Sequence, residues 1–543
     1  MKRSAGVLLA VSSLPSRYGI GCFDQCAYDF VDWLAAAGQT YWQILPLGPT
    51  SFGESGDSPY QSYSAFAGNP YFISLDALIE EGVLTREECD AADFGVSDTE
   101  VDYEKMHETR FRLLRRAYER SNISHSIRYQ EFLRDNSWWL ADYALFMAVK
   151  GFFKDAVWSE WPEDIRMHWG FAMDYYRREL YYDVEFQYYM QFKFFEQWQA
   201  LKAYANRKNI LIVGDIPIYV SPDSADIWAH PELFQMDESN VPSAIAGCPP
   251  DAFSADGQIW KNPLYRWDYH RVTGFEWWVS RMWQSFRLYD AVRIDHFRGF
   301  DEYFSIPQGA ESALTGHWEK GPGIDLFRTI EQRLGKHHII AEDLGLMTDS
   351  VRHLVRESGF PNMKVFQFAF DEGDVGAGND YLPHNYQHNC VVYTGTHDNE
   401  TVAGWLAGLT QKARMQVRDY LCDRYTPDGE LYRSVIAASM RSCGDTCIIP
   451  IQDYLGLDNS CRMNQPSTVG KNWRWRVKAE QMTDEVREEI LGVTLRYGRM
   501  NWANSELVQQ AWKSAVQDAA EEPEKDVQKD VQESVPEKTA DVE

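Results

Sequence analysis

The sequence predicts an α/β fold, a (β/α)₈ TIM barrel with helical insertions between barrel strands, and three observations carry that prediction. Eight short apolar runs of strand length recur along the chain. Stretches long enough for helices separate them, and each run is continuously apolar rather than alternating, as parallel strands covered on both faces require. An open doubly wound sheet is the alternative that the pattern leaves.

The runs are residues 6–11, 40–47, 210–218, 291–297, 339–344, 363–368, 391–397 and 446–452. Each ends in polar or turn residues, as Val11 does at Ser12-Ser13-Leu14-Pro15 and Leu47 at Gly48-Pro49. Between the second and third runs, 70–209 is far longer than an ordinary βα connection. Its later part is dense in rings, among them Trp138-Trp139, Trp158, Trp161, Trp169, Tyr175-Tyr176, Tyr188-Tyr189, Phe194-Phe195 and Trp198. It reads as a helical subdomain packed beside the barrel and ending in the helix that returns to the third strand. A second insertion, 221–290, carries Gly247-Cys248-Pro249-Pro250-Asp251-Ala252-Phe253-Ser254, whose Pro and Gly argue for a shaped loop rather than a helix. Residues 1–516 thus read as one catalytic barrel with two insertions. The last segment, 517–543, has ten acids, three lysines and no aromatic residue, and is expected to be a disordered acidic tail.

Composition narrows the partners. The chain has 543 residues and a formal charge of −28, which repels phosphate backbones and acidic membranes and leaves a neutral or cationic substrate. No window approaches the ~18 consecutive apolar residues of a membrane helix. Met1-Lys2-Arg3 and the apolar stretch after it imitate a signal peptide, but the stretch is short and runs into Ser-Ser-Leu-Pro, so a cytoplasmic location is expected over secretion. The nine cysteines are scattered, and neither Cys22/Cys26 nor Cys443/Cys447 has a second ligand pair, so they read as reduced thiols.

The chemistry lies in carboxylates that close four of the runs: Val213-Gly214-Asp215, Arg293-Ile294-Asp295, Ala341-Glu342-Asp343 and Thr396-His397-Asp398. In a barrel the carboxyl ends of different strands converge on one mouth. Convergent carboxylates without a His/Cys cluster offer a divalent metal site or acid/base and nucleophilic work on a glycosidic bond. For the second chemistry Asp295 is the better nucleophile, because Arg293 lies two residues earlier on the same strand face and holds it ionised. Glu342 is the better acid where its surroundings raise its pKa, and Asp398 remains for sugar hydroxyls and the positive charge developing on the ring. No metal and no cofactor are expected for the reaction.

Five motifs, in order, are recognisable: Gly56-Asp57-Ser58-Pro59-Tyr60 with Ala65-Phe66-Ala67-Gly68-Asn69-Pro70; Pro249-Pro250-Asp251 running to Gly257-Gln258-Ile259-Trp260; Arg293-Ile294-Asp295-His296-Phe297-Arg298-Gly299; Ala341-Glu342-Asp343-Leu344-Gly345; and Gly395-Thr396-His397-Asp398-Asn399. Together they resemble the 4-α-glucanotransferases, also called amylomaltases or disproportionating enzymes (glycoside hydrolase family 77), over about residues 4–505. The resemblance implies a (β/α)₈ barrel with Asp295 as nucleophile, Glu342 as acid/base and Asp398 as third acid. It places Arg293 beside the nucleophile and His397 on substrate hydroxyls. It gives Asp215 either a structural role next to the −1 sugar or direct contact with it. Tyr60, Asp251 and Trp260 correspond to donor and acceptor contacts, with the segment around Asp251 as a flap.

Three places depart from the family's usual pattern: Ala252-Phe253 after Asp251, Lys261 after Trp260 where Gly is common, and Ser467 where Gly is usual. The expected activity is retaining transfer of α-1,4-glucan segments between maltooligosaccharide, amylose, starch or glycogen donors and acceptors. An α-glucan hydrolase on the same scaffold and a non-catalytic glucan-binding protein are the competing readings.

Overall fold

The computed structural model describes residues 3–53, 56–250, 256–345, 347–370, 378–506 and 508–510. Eight parallel strands close into a barrel: β1 (Ser4–Leu8), β2 (Tyr41–Gln43), β3 (Leu211–Pro217), β6 (Ala291–Asp295), β9 (His338–Ala341), β10 (Asn362–Val365), β11 (Cys390–Tyr393) and β12 (Thr446–Pro450). Each pairs with its neighbour in chain order, and β12 closes on β1 with Ser4 opposite Thr446. Every predicted run therefore supplies one barrel strand. The strands are shorter than the runs: pairing stops at Tyr393 although the chain remains buried through Thr396 and His397. Apolarity reports burial, and the turns at the mouth are as buried as the strands.

The interior is layered by the period-two pleat of the strands. Leu8, Val213, Ala291, Ile340, Met363, Val391 and Ile448 form a closed apolar plug. Two residues further along the same faces, Val213 leads to Asp215, Ala291 to Arg293 and Ile340 to Glu342. A packed lower layer thus supports a polar upper layer that opens at the mouth.

Between β2 and β3 the chain is helical, and its two long helices, Ile127–Phe152 and Tyr181–Arg207, pack on each other. Side chains fasten this insertion to the loop after β2. Gln191 accepts from the Gly68 N–H at 2.8 Å and returns its amide to the Gly68 carbonyl at 2.8 Å. The Phe194 ring lies where a Gly68 Cβ would stand, 2.0 Å from it, which is why this position is glycine. The long helix then delivers the chain directly to β3.

A second sheet was not legible in the sequence. It is antiparallel, in the order β5 (Gln258–Pro263), β4 (Ala244–Cys248), β7 (Glu302–Pro307) and β8 (His317–Lys320). Its strands come from two connections, β3 to β6 and β6 to β9. The insertion 221–290, read as loop-bearing, also holds the helices Ala225–Ala229, Trp267–Val272 and Glu276–Leu288. Among the described residues no helix is long and apolar enough to cross a membrane.

Candidate active site

The polar layer begins with strand register. Asp215 of β3 is level with Arg293 of β6, and Arg293 is level with Ile340 of β9. Asp295 closes β6 and Glu342 is the first residue beyond β9; each follows the paired residues Ile294 and Ala341, so they stand side by side at the ends of adjacent strands. Asp215 lies inside β3 rather than at its end, and it has no exposed surface. Its Oδ2 accepts from Arg293 Nη1 at 2.6 Å and from the Tyr60 hydroxyl at 2.8 Å. Arg293, 2% exposed, uses its other terminal nitrogen to reach Asp295 Oδ1 at 2.9 Å. A hydrogen-bonded chain thus runs from Tyr60 at the cavity wall through the buried Asp215 and Arg293 to Asp295.

Glu342 is held by the backbone. Its Oε2 accepts from the His296 N–H at 2.7 Å and its Oε1 from the Leu344 N–H at 2.6 Å. His296 takes a left-handed backbone, φ 54°, and this turn directly after β6 aims its N–H at the neighbouring strand's acid. Burial, and next the Asp295 charge, push the Glu342 carboxyl up to about 8. Burial pushes Asp295 up as well, and the Arg293 guanidinium opposes it. Of the two, Glu342 keeps the proton: burial and the Asp295 charge outweigh the backbone N–H groups of His296 and Leu344 that favour its ionised form, whereas Asp295 has the Arg293 guanidinium hydrogen-bonded to it.

Asp398 stands in the turn beyond β11 with its side chain 43% exposed. Asn464 Nδ2 donates to its Oδ1 at 2.6 Å, and Arg462 donates to its carbonyl at 2.6 Å. The His397 ring lies nearly parallel to the Tyr60 ring, with centroids 5.1 Å apart and planes at 18°. Trp473 borders both rings, at 5.6 and 5.9 Å. On the opposite wall, Trp260 meets the His296 ring edge-on at 4.8 Å. Trp260 sits where β5 slips register against β4, next to Lys261 at φ 66°, and such a bulge re-aims the side chains beside it.

These groups border one cavity of about 560 Å³. Of the predicted residues, Tyr60, Trp260, Asp295, Glu342, His397 and Asp398 line it. Asp215 and Arg293 sit behind it, and Asp251 lies outside the described residues. Asn464 and Trp473, which also line the cavity, were not picked out from the sequence. Nothing in the spacing of a chain links Asn464 to an acid 66 residues earlier. Among the described residues no group of three or more His, Cys, Asp or Glu side chains is placed to hold a metal ion. What the arrangement offers chemically is a protonated acid beside an arginine-held carboxylate, with a third acid at the rim.

Comparison with known proteins gives this geometry its context. The 4-alpha-glucanotransferase of Streptococcus pneumoniae is 47% identical over 506 residues, covering 92% of this chain and 98% of its own length. That of Thermus thermophilus is 42% identical over 494 residues, 89% of this chain and 97% of its own. The solved amylomaltase from Streptococcus agalactiae, in complex with acarbose, superposes with a TM-score of 0.88 at 40% identity, covering 92% of this chain and 100% of that one. The amylomaltase of Corynebacterium glutamicum shares the fold, with a TM-score of 0.72 at 19% identity. The family described as 4-alpha-glucanotransferase matches residues 9–483, and the chain belongs to that family.

Proposed function

We propose that this chain transfers α-1,4-glucan segments between glucan chains by a retaining double displacement, with Asp295 as nucleophile and Glu342 as acid and then base. One observation carries the reading: side by side at the ends of adjacent strands, one carboxyl is held by a guanidinium and the other keeps its proton. Neighbouring strands are about 4.8 Å apart and retention calls for carboxyls about 5 to 5.5 Å apart, so the register suits a nucleophile and acid pair.

A donor glucan lies across the cavity with sugar faces against its rings. Asp295 attacks the anomeric carbon as Glu342 gives its proton to the departing glycosidic oxygen, which leaves a glucosyl ester on Asp295 and a free reducing-end fragment. The ester carries no charge, and the Asp295 charge was the second cause of the raised Glu342 pKa. Once it is gone, Glu342 becomes a stronger acid and stays ionised, ready to take the proton from the 4-hydroxyl of an acceptor. That hydroxyl attacks the anomeric carbon, the ester bond breaks, Asp295 recovers its charge and the α linkage is restored.

Asp398, oriented by Asn464, supports the charge that develops on the ring. Tyr60, Trp260 and His397 contact the sugar, and Asp251 is assigned to the flap over the cleft. Asp215 and Arg293 act through the groups they hold. Transfer exceeds hydrolysis when an acceptor fills the cavity ahead of water. The catalytic unit is residues 1–516, with 70–209 as a helical insertion subdomain and 221–290, which carries Trp260, as the flap-bearing insertion. Its place is the cytoplasm, which fits nine cysteines that are all free thiols.

Incubation with pure maltotriose tests the reading. Transfer yields glucose together with maltooligosaccharides longer than the substrate. Glucose and maltose alone would assign hydrolysis, and an unchanged substrate would leave only binding.

A further inference from the structure

The turn that carries His397 and Asp398 runs from Thr394, the first residue beyond β11, to Thr401, where the helix Val402–Gly408 begins. Its middle is braced from within. Asn399 Oδ1 accepts from the N–H and from the hydroxyl of Thr396, both at 2.9 Å, and the Thr396 hydroxyl accepts from the Asp398 N–H at 3.3 Å. Residues 396–399 thus behave as one piece, and the direction in which Asp398 points depends on how the two stems of the turn are held.

One side chain holds both stems. Asp453 sits in the short helix Ile451–Tyr454 that follows β12, and it is 1% exposed. Its Oδ2 accepts from the Thr394 hydroxyl at 2.5 Å, at the entry to the turn, and its Oδ1 accepts from the Val402 N–H at 2.7 Å, at the exit. Val402 opens its helix, so its N–H has no partner inside the helix. Burial pushes the Asp453 carboxyl from 3.8 up to about 6, and the Thr394 and Val402 bonds are what oppose that rise. An apolar side chain would be easier to bury at this position; what the carboxyl adds is the pair of bonds across the turn.

Other contacts reach single points of the turn. Gln367, beyond β10, donates to the Glu400 carbonyl at 2.8 Å, while Arg462 and Asn464 meet Asp398 at the tip. Asp453 joins entry to exit, and it does not border the catalytic cavity, so whatever it contributes to the reaction passes through the turn.

We infer that Asp453 is a positioning residue for the transfer reaction: by tying Thr394 to Val402 it fixes the orientation of the turn, and with it the place at which Asp398 and His397 meet the sugar. The inference rests on the reading of Asp398 as the third acid. An orientation that counts as charge develops on the ring shows in kcat, whereas a contact made equally with bound substrate shows in KM.

The test is kinetics on maltotriose, with thermal unfolding to identify the folded variants. Asp453→Ala releases both stems and lowers kcat by about ten- to a hundredfold, with KM within about twofold of the wild type. Asp453→Asn keeps both ties, because its carbonyl still accepts from the Val402 N–H and its amide donates to the Thr394 oxygen, and it recovers kcat to within about threefold. Thr394→Val removes the entry tie alone and lowers kcat by about two- to tenfold, the worth of one hydrogen bond. Wild-type kcat in folded Asp453→Ala, equal losses in Asp453→Ala and Asp453→Asn, or a raised KM with unchanged kcat overturns the inference. Should Asp453→Ala fail to fold, Thr394→Val decides, and an unchanged kcat there overturns it. Failure of the wild type to disproportionate maltotriose, or full activity in Asp398→Asn, would instead overturn the reading of the site, so the two failures are distinct.

Discussion

The backbone N–H of His296 donates to Glu342 Oε2 at 2.7 Å, which ties the acid to the residue that follows Asp295. The tie extends to the next residue, because the Phe297 N–H donates to the Glu342 carbonyl at 3.0 Å. A non-glycine residue in the left-handed region costs about 1–2 kcal/mol, and His296 at φ 54° is held there by these contacts. The spacing of the two carboxyls is therefore set by main-chain hydrogen bonds rather than by long side chains that could swing.

The Asp295 charge helps keep Glu342 protonated, so removing that charge lowers the Glu342 pKa. In Asp295→Asn, Glu342 titrates clearly below its wild-type value of about 8, as followed by carbon NMR of labelled glutamate side chains. In the wild type, kcat/KM falls as pH rises through about 8, where the acid is lost. A Glu342 pKa that is unchanged or higher in Asp295→Asn would contradict the division of roles.

Asp215 carries two buried hydrogen bonds, and they differ in worth. Asp215→Asn deprives the buried Arg293 of one carboxylate, and breaking a buried pair costs about 3–5 kcal/mol. Tyr60→Phe removes only a neutral donor, worth about 1 kcal/mol. Urea unfolding of both variants gives the order, with Asp215→Asn the less stable by a clear margin. Equal losses would mean that Arg293 does not depend on Asp215.

Asp57 is buried in the loop that carries Tyr60, and its Oδ1 accepts from Thr50 at 3.1 Å. Burial pushes its carboxyl from 3.8 up to about 7. Between those values the folded chain keeps a proton that the unfolded chain has released, so this group lowers stability as pH rises. Asp57→Asn keeps the acceptor and tolerates the left-handed φ of 56°. It matches the wild type near pH 4 and exceeds it by about 2–4 kcal/mol above pH 7. Thermal unfolding across that range checks the sign, and parallel pH profiles for the two proteins would refute it.

The barrel was legible because strands covered on both faces leave continuous apolar runs, and 446–452 or 363–368 needs no other signal. Strand ends were not legible, since Thr394 and His397 are buried in a turn as fully as Val391 is in its strand. The outer sheet escaped for the opposite reason: His317–Lys320 is short, polar and half exposed. The acids were found because they follow apolar runs, but the pleat places Asp215 inside the wall, above Val213, where no solvent reaches it. The two positions at which Gly is usual in the family, Lys261 and Ser467, have φ of 66° and 65°. The resemblance marked them as departures, and the backbone explains why glycine belongs there.

Asn464 supplies the last prediction. Its Nδ2 donates to Asp398 Oδ1 at 2.6 Å, and its own N–H donates to the His397 carbonyl at 3.1 Å, so it is seated before it orients the acid. Asn464→Ala keeps the backbone bond and frees the half-exposed Asp398 carboxylate to rotate. A misplacement of about 1 Å at a reacting centre costs up to about a hundredfold in rate, whereas a lost hydrogen bond to a half-exposed acid moves stability by only about 1 kcal/mol. The variant therefore melts close to the wild type while kcat on maltotriose falls by one to two orders of magnitude, about 10- to 100-fold. Asn464→Asp sets a carboxylate against Asp398 and loses at least as much activity as Asn464→Ala, with the loss easing at low pH as the pair takes up a proton. Wild-type kcat in Asn464→Ala would show that Asp398 is oriented by its own turn alone.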